Sequence, residues 1–353
     1  MALKPSKTLV LVTGGSGFVG SFCIIALLNA GYRVRATVRS LSKVPAVTDS
    51  LIKNGGIPES ILTERLAFVA ADLSKNEGWD EAVAGCTFIL HVASPFPPSV
   101  PKHEDDLIVP AREGTLRILR AAKAAGVKRV VITSSFAAVG YGHTPQSTPF
   151  TEEAWTNVNG PGVSPYTKSK TLAERAAWDY VNSPEGKGLE LCTVQPTWIF
   201  GPVLSEDFSP SILLVQRLLN GDLPGCPDLT LGVIDVRDLA SLQLLAMTRP
   251  EAAGERFLAV SPPSVTIKQV AMTLKERLPN ASKRVATMQL PSFLLRILAF
   301  FDQEIASLAP GLGKKLDCTN EKAKRVLGWE PMSKEDAIVA TAESLIKLGL
   351  VKK

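Results

Sequence analysis

The chain predicts an α/β fold: a doubly wound parallel sheet followed by a smaller, α-rich C-terminal cap. Three observations carry this expectation. Short apolar, β-branched runs alternate with helical apolar periods as far as Pro202. Near the N-terminus, one such run passes through a glycine-rich turn into a helix and a second strand. Beyond Pro202 the alternation becomes irregular and mostly helical.

Residues 9–12 read as a strand buried on both faces, because an unbroken apolar run is what a parallel sheet requires. Thr13-Gly14-Gly15-Ser16-Gly17-Phe18-Val19-Gly20 forms the turn. The following helix groups Ile24, Leu27 and Leu28 on one face and stops at Gly31, a C-cap glycine. Residues 32–38 form the second strand. The polar stretch 41–64 is helix-compatible but broken at Gly55-Gly56 and Pro58, and residues 66–70 form the third strand. A short helix at 80–85 precedes a fourth strand at 87–92, which enters Ala93-Ser94-Pro95-Phe96-Pro97-Pro98. The period through Leu116, Leu119 and Ala122 marks a helix over 105–125, ended by Gly126. Strands at 129–133 and 189–195 end in Ser134-Ser135-Phe136 and Pro196-Thr197-Trp198. Further on, strands are expected at 231–236, 255–260 and 285–290, and helices at 211–220, 267–278, 291–300, 320–327 and 334–348, with another running to Met247. The first domain is expected to span residues 5–202, with later segments near 229–248 interleaved into it, and 203–353 to be mostly cap.

The turn has the spacing G-x-x-G-x-x-G. Gly14 permits a tight exit from the strand, Gly17 lets the backbone approach a pyrophosphate, and Gly20 permits close packing of helix on strand. Freed N–H groups and the positive end of the helix dipole then face an anion. Flanked by strand, helix and strand, this is a dinucleotide site. Thr13, Gly14, Ser16, Gly17, Phe18, Val19 and Gly20 are its candidate contacts. The second strand lacks the terminal acid that binds a ribose 2′-hydroxyl. It carries Arg39 and Lys43 instead, cations placed for a 2′-phosphate, which selects NADP(H). The ends of the fourth, fifth and sixth strands face the same crevice, so Val92, Ala93 and Ser94 are candidate cofactor contacts. Phe96, Phe136 and Trp198 are candidate substrate contacts.

The chemical centre reads Ser164-Pro165-Tyr166-Thr167-Lys168-Ser169-Lys170. Ser164 suits a helix N-cap and Pro165 its first position, which puts Tyr166 and Lys170 on one helical face. A free tyrosine has a pKa of roughly 10, and a nearby ammonium is expected to lower it enough for proton exchange with a substrate oxygen.

Taken together, Thr13 to Gly20, Ser134-Ser135 and Tyr166 with Lys170 resemble the extended short-chain dehydrogenases/reductases. The C-terminal NEKAKRVLGWEP extends the resemblance over nearly the whole chain. The fold it implies is of the Rossmann type. Ala36-Thr37-Val38-Arg39 with Lys43, His91-Val92-Ala93-Ser94-Pro95 and the stretch from Tyr166 to Glu174 are similar to the dihydroflavonol reductase and cinnamoyl-CoA reductase branch, with its related aldehyde and ketone reductases. The resemblance implies a Ser-Tyr-Lys triad of Ser135, Tyr166 and Lys170, with Ser134 as the alternative serine. It implies an adenine contact at Asp72 and Leu73, and a nicotinamide contact at Pro196. The chain departs from the branch at Glu113, where asparagine is usual, and at Phe136, where the plant enzymes have a small residue. A flavonoid substrate is therefore not implied.

The expected activity is NADPH-dependent reduction of an aldehyde or ketone. A hydroxysteroid dehydrogenase, a nucleotide-sugar epimerase or dehydratase, and a non-catalytic NADP-sensing regulator are the alternatives. The net charge of +5 is dispersed, so no nucleic-acid partner is expected. The five cysteines are scattered and odd in number, and the three histidines lack metal-ligand spacing. No disulfide framework or metal is expected, nor a signal peptide or membrane span. A cytoplasmic monomer or homodimer acting on a small carbonyl compound is the resulting expectation.

Overall fold

In a computed structural model, residues 4–95, 103–144, 146–206, 208–298 and 311–352 are described. Seven parallel strands form the central sheet in the order β3-β2-β1-β4-β5-β6-β10. They are β1 (Leu9–Thr13), β2 (Arg33–Val38), β3 (Leu66–Ala70), β4 (Phe88–His91), β5 (Arg129–Thr133), β6 (Glu190–Pro196) and β10 (Arg256–Ala259). Strand order reverses between β1 and β4, where a doubly wound sheet opens its ligand crevice.

The alternation of β1 sets the two layers. Val10 and Val12 pack with α1 (Phe18–Asn29) and α8 (Val236–Thr248), through Ile24, Leu27, Leu239 and Leu242. Leu11 faces the opposite way, toward Ile118, Leu119 and Ala177 of α5 (Asp105–Ala124) and α6 (Pro165–Asn182). Each such aliphatic side chain contributes about 1.5–3 kcal/mol on burial, so both faces of the sheet are held mainly by apolar contact. Gly31, with φ +83°, ends α1 where expected; the Tyr32 N–H reaches the Leu27 carbonyl at 3.0 Å.

Smaller elements complete this half: α2 (Val44–Lys53), α3 (Glu59–Arg65) and α4 (Trp79–Val83). A separate core gathers Ile212, Val215 and Leu218 of α7 (Pro210–Asn220), Val270 and Leu274 of α9 (Ile267–Arg277), and Ile338, Ala342 and Leu345 of α12 (Lys334–Lys347). The partly buried ring of Phe18 packs against both this core and that of the sheet.

Two later segments differ from expectation. The single strand expected at 231–236 is split into β8 (Thr230–Leu231) and β9 (Val233–Asp235). Gly232 breaks it, and a Cβ there would lie 2.7 Å from Thr197. β8 pairs with β11 (Val265–Thr266), and β9 with β7 (Trp198–Phe200), a strand not anticipated. At 285–290 only an isolated bridge forms, between Cys226 and Gln289. The helix expected at 291–300 is α10 (Ser292–Leu298); residues 299–310 lie outside the described residues. The last long-range surprise is β10, which completes the main sheet from beyond Pro202. α11 (Glu321–Leu327) packs beside it, and Trp329 enters the sheet's core. No described helix is long and apolar enough to cross a membrane. The five cysteines are free and buried.

Candidate active site

The glycine turn is built as much by its neighbours as by its glycines. Gly14 takes φ +71°, a left-handed conformation that side chains resist. Its N–H donates to Thr37 Oγ1 at 3.1 Å, and the Gly15 N–H to the Thr37 carbonyl at 2.9 Å. A Cβ at Gly20 would lie 2.2 Å from the Gly14 carbonyl oxygen, so Gly20 packs helix on turn rather than helix on strand. Gly15, given no role from sequence, packs against β2: a Cβ there would lie 2.7 Å from Ala36 Cβ. At Gly17 a Cβ would meet only the Gly14 oxygen, at 3.4 Å, so packing alone does not require glycine there. Gly17 is also the N-cap of α1 and supplies no side-chain cap. The first-turn amides of Phe18 and Val19 therefore stand ready for an anion, with half-buried Ser16 beside them.

Thr13 is fully buried and tied to the loop after β4, accepting from the Val92 and Ala93 N–H groups at 3.0 Å each. Half-buried Val92, Ala93 and Ser94 are thereby held over the turn, with Ala93 Cβ 3.1 Å from where a Gly14 Cβ would be. Arg39 and Lys43 are exposed beyond the end of β2. Asp72 forms an Asx turn, its Oδ1 accepting from the Ser74 N–H and hydroxyl at 2.8 Å each rather than capping a helix. These bonds hold its carboxyl below the usual range, assisted by Arg39. Leu73 is half-buried, and the Arg117 guanidinium donates to its carbonyl.

Ser164 caps α6 through the Thr167 N–H at 3.1 Å, and Pro165 opens the helix, as the sequence predicts. Lys170 Nζ lies 5.8 Å from the centroid of the Tyr166 ring. The hydroxyl of Ser135 is hydrogen-bonded to that of Tyr166 and also accepts from the Ala137 N–H at 3.1 Å. Ser134 is committed elsewhere, donating to the buried carboxylate of Glu174. Ser135, Tyr166 and Lys170 are thus brought together, and Ser134 is turned away from them.

The electrostatics differ from expectation in sign. Burial raises the Tyr166 phenol above its usual value, opposed only by the Ser135 hydrogen bond. Burial also lowers Lys170, to about 8. Desolvation dominates because both groups lose water on packing, so the ammonium does not bring the tyrosine down. Tyr141, unremarked in the sequence, is a second phenol of this cluster: burial and its proximity to Tyr166 push it up to about 12.

The candidate substrate residues fare unequally. Phe136 is buried in a small cluster of its own, its ring edge-on to Tyr141 at 5.9 Å and Phe150 at 6.0 Å. Trp198 is half-buried on β7 against the cap core, and Pro196 is buried as the last residue of β6. Phe96 lies outside the described residues.

Comparison with known proteins identifies the family and supports the fold. The model of the NAD dependent epimerase/dehydratase family matches residues 10–259. A dihydroflavonol 4-reductase of Zea mays is 38% identical over 282 residues, 78% of this chain and 75% of that protein. A cinnamoyl-CoA reductase of Medicago truncatula is 36% identical over 254 residues, 70% of this chain and 75% of that protein. Among solved structures, yeast methylglyoxal/isovaleraldehyde reductase complexed with NADPH superposes with a TM-score of 0.78 at 27% identity, covering 97% of this chain and 99% of the other. The chain belongs to the NAD dependent epimerase/dehydratase family, the extended short-chain dehydrogenases/reductases, with dihydroflavonol and cinnamoyl-CoA reductases among its relatives.

Proposed function

We propose that the protein is an NADPH-dependent reductase that converts an aldehyde or ketone to the alcohol. The observation that carries this reading is the meeting of Ser135, Tyr166 and Lys170, with Lys170 near His91, the partner of Thr13 at the head of the glycine turn. The cradle suits a dinucleotide, because Gly17 leaves space that a side chain would fill and the first amides of α1 face it uncapped. Arg39 and Lys43, with no acid at the end of β2, favour a 2′-phosphate.

Bound NADPH supplies the hydride. Ser135 Oγ and Tyr166 Oη both address the substrate carbonyl oxygen. Ser135 donates a hydrogen bond to the negative charge growing there, and Tyr166 transfers its phenolic proton to the same atom. Tyr166 is the proton donor in this reading, and its hydrogen bond with Ser135 sets the phenol's position. Lys170, its Nζ 5.8 Å from the centre of the Tyr166 ring, is placed to orient the cofactor ribose. Tyr141 shapes the substrate end.

The test is consumption of NADPH and of NADH, side by side, against aromatic and aliphatic aldehydes, ketones and keto esters. Turnover favouring NADPH, and reduced by roughly 10²-fold or more in Tyr166→Phe, is the expected result. NADPH binding without reduction of any carbonyl would reject the reading.

A further inference from the structure

Glu174 lies on α6 four residues beyond Lys170 and eight beyond Tyr166. Its carboxylate is buried and gathers donors from four elements. Ser134, just past β5, donates to Oε2. Oε1 accepts from Gln195 Nε2 at 2.7 Å and Thr193 Oγ1 at 3.0 Å, both on β6, from Arg256 Nε on β10 at 2.8 Å, and from Trp178 Nε1 at 3.4 Å. Arg256 continues outward to the carbonyls of Glu152 and Ala154 and stacks 3.7 Å over the Trp155 ring. Among the described residues, Gln195 Oε1 and Arg256 Nη2 have no hydrogen-bond partner.

Ser134 and Ser135 follow β5 consecutively, and their side chains go to different partners. Ser134 joins Glu174; Ser135 joins Tyr166. The backbone at this point is pinned by the Ser134 N–H donating to the Val194 carbonyl at 2.8 Å. The Ser134–Glu174 bond therefore ties the strand end that carries Ser135 to the helix that carries Tyr166 and Lys170. We propose that Glu174 is a positioning residue for carbonyl reduction: by holding Ser134 it sets the Ser135 hydroxyl against Tyr166. The proposal rests on the reductase reading above. Glu174 touches no reacting atom and acts entirely through Ser134.

Ser134→Ala cuts this link while leaving the Glu174–Arg256 ion pair intact, and Glu174→Gln keeps the shape but removes the charge. Both are compared with the wild type using NADPH and a carbonyl that the wild type reduces. Ser134→Ala is expected to lower kcat by roughly tenfold or more, while KM and the NADPH Kd move by less than about twofold. The isotope effect with NADPH deuterated at C4 rises, because hydride transfer limits turnover more fully. Ser134→Thr, which restores a hydroxyl, recovers kcat. Glu174→Gln follows Ser134→Ala in direction. If Ser134→Ala keeps the wild-type kcat and isotope effect and only its Tm falls, the network is purely structural and the proposal is wrong. A wild type that reduces no carbonyl overturns the reductase reading and this proposal together. An active wild type with an unaltered Ser134→Ala overturns this proposal alone.

Discussion

Thr13 and His91 face each other across β1 and β4, with Thr13 Oγ1 2.9 Å from His91 Nδ1. The same hydroxyl oxygen accepts from the Val92 and Ala93 N–H groups, so both its lone pairs are used. Its single hydrogen must therefore point at Nδ1, which places the imidazole proton on Nε2. Burial, with Lys170 contributing, pushes the His91 pKa down to about 3, so the ring stays neutral. One buried threonine thus couples the glycine turn to Val92 and Ala93 at the end of β4.

Thr13→Val should break that coupling with little change of shape. Two backbone donors and one ring nitrogen lose their partner, and a buried unsatisfied group costs about 1–3 kcal/mol. A fall in the urea midpoint equivalent to about 2 kcal/mol or more is expected, together with weaker NADPH binding by calorimetry. Unchanged values in both would remove Thr13 from this role.

Gly17→Ala and Gly20→Ala should separate binding from folding. The added methyl at position 20 would fall 2.2 Å from the Gly14 carbonyl oxygen, whereas at 17 it meets nothing closer than 3.4 Å. Gly20→Ala is therefore expected to lose about 1–3 kcal/mol of stability by overpacking. Gly17→Ala should keep a near wild-type Tm yet bind NADPH much less tightly. Equal behaviour of the two variants would contradict the separation.

Arg39→Ala should alter the choice of cofactor. Losing a charge-assisted hydrogen bond of about 1.5–3 kcal/mol lowers kcat/KM for NADPH by roughly 10- to 100-fold. NADH, which has no 2′-phosphate, should be nearly unaffected. Lys43→Ala is expected to act in the same direction.

Lys170 gives the pH dependence. Its ammonium is intact below, and lost above, a folded-state pKa lowered from 10.5 to about 8. NADPH binding to the free enzyme should weaken as pH rises through about 8, and Lys170→Met should abolish that inflection. For stability the sign is the reverse. Between about 8 and 10.5 the unfolded chain holds more protons than the folded one, so stability rises with pH across that window. Lys170→Met should accordingly raise Tm at neutral pH, by a margin that shrinks as pH approaches 10.5. A Tm difference independent of pH would contradict the assignment.

What was legible in the sequence is what local pattern encodes. The strands around the glycine turn, the Ser164-Pro165 start of α6 and the i, i+4 placement of Tyr166 and Lys170 all follow from side-chain period and capping, which need only near neighbours. Resemblance to a family added the serine on β5's end. β10 escaped assignment to the main sheet because strand pairing is a long-range choice: Arg256–Ala259 carries no local mark of lying beside β6. Gly232 looked like one more strand residue until Thr197, distant in sequence, packed against it.

The sequence by itself determined the fold class, the glycine turn and the proximity of Tyr166 to Lys170, since each depends on residues within a turn or two of one another. Only the tertiary structure decided that Ser134 goes to Glu174 while Ser135 meets Tyr166, and that Phe136 turns into the core. It also reversed the expected shift at Tyr166. Desolvation depends on everything packed around a group, and spacing along a helix does not encode that sum.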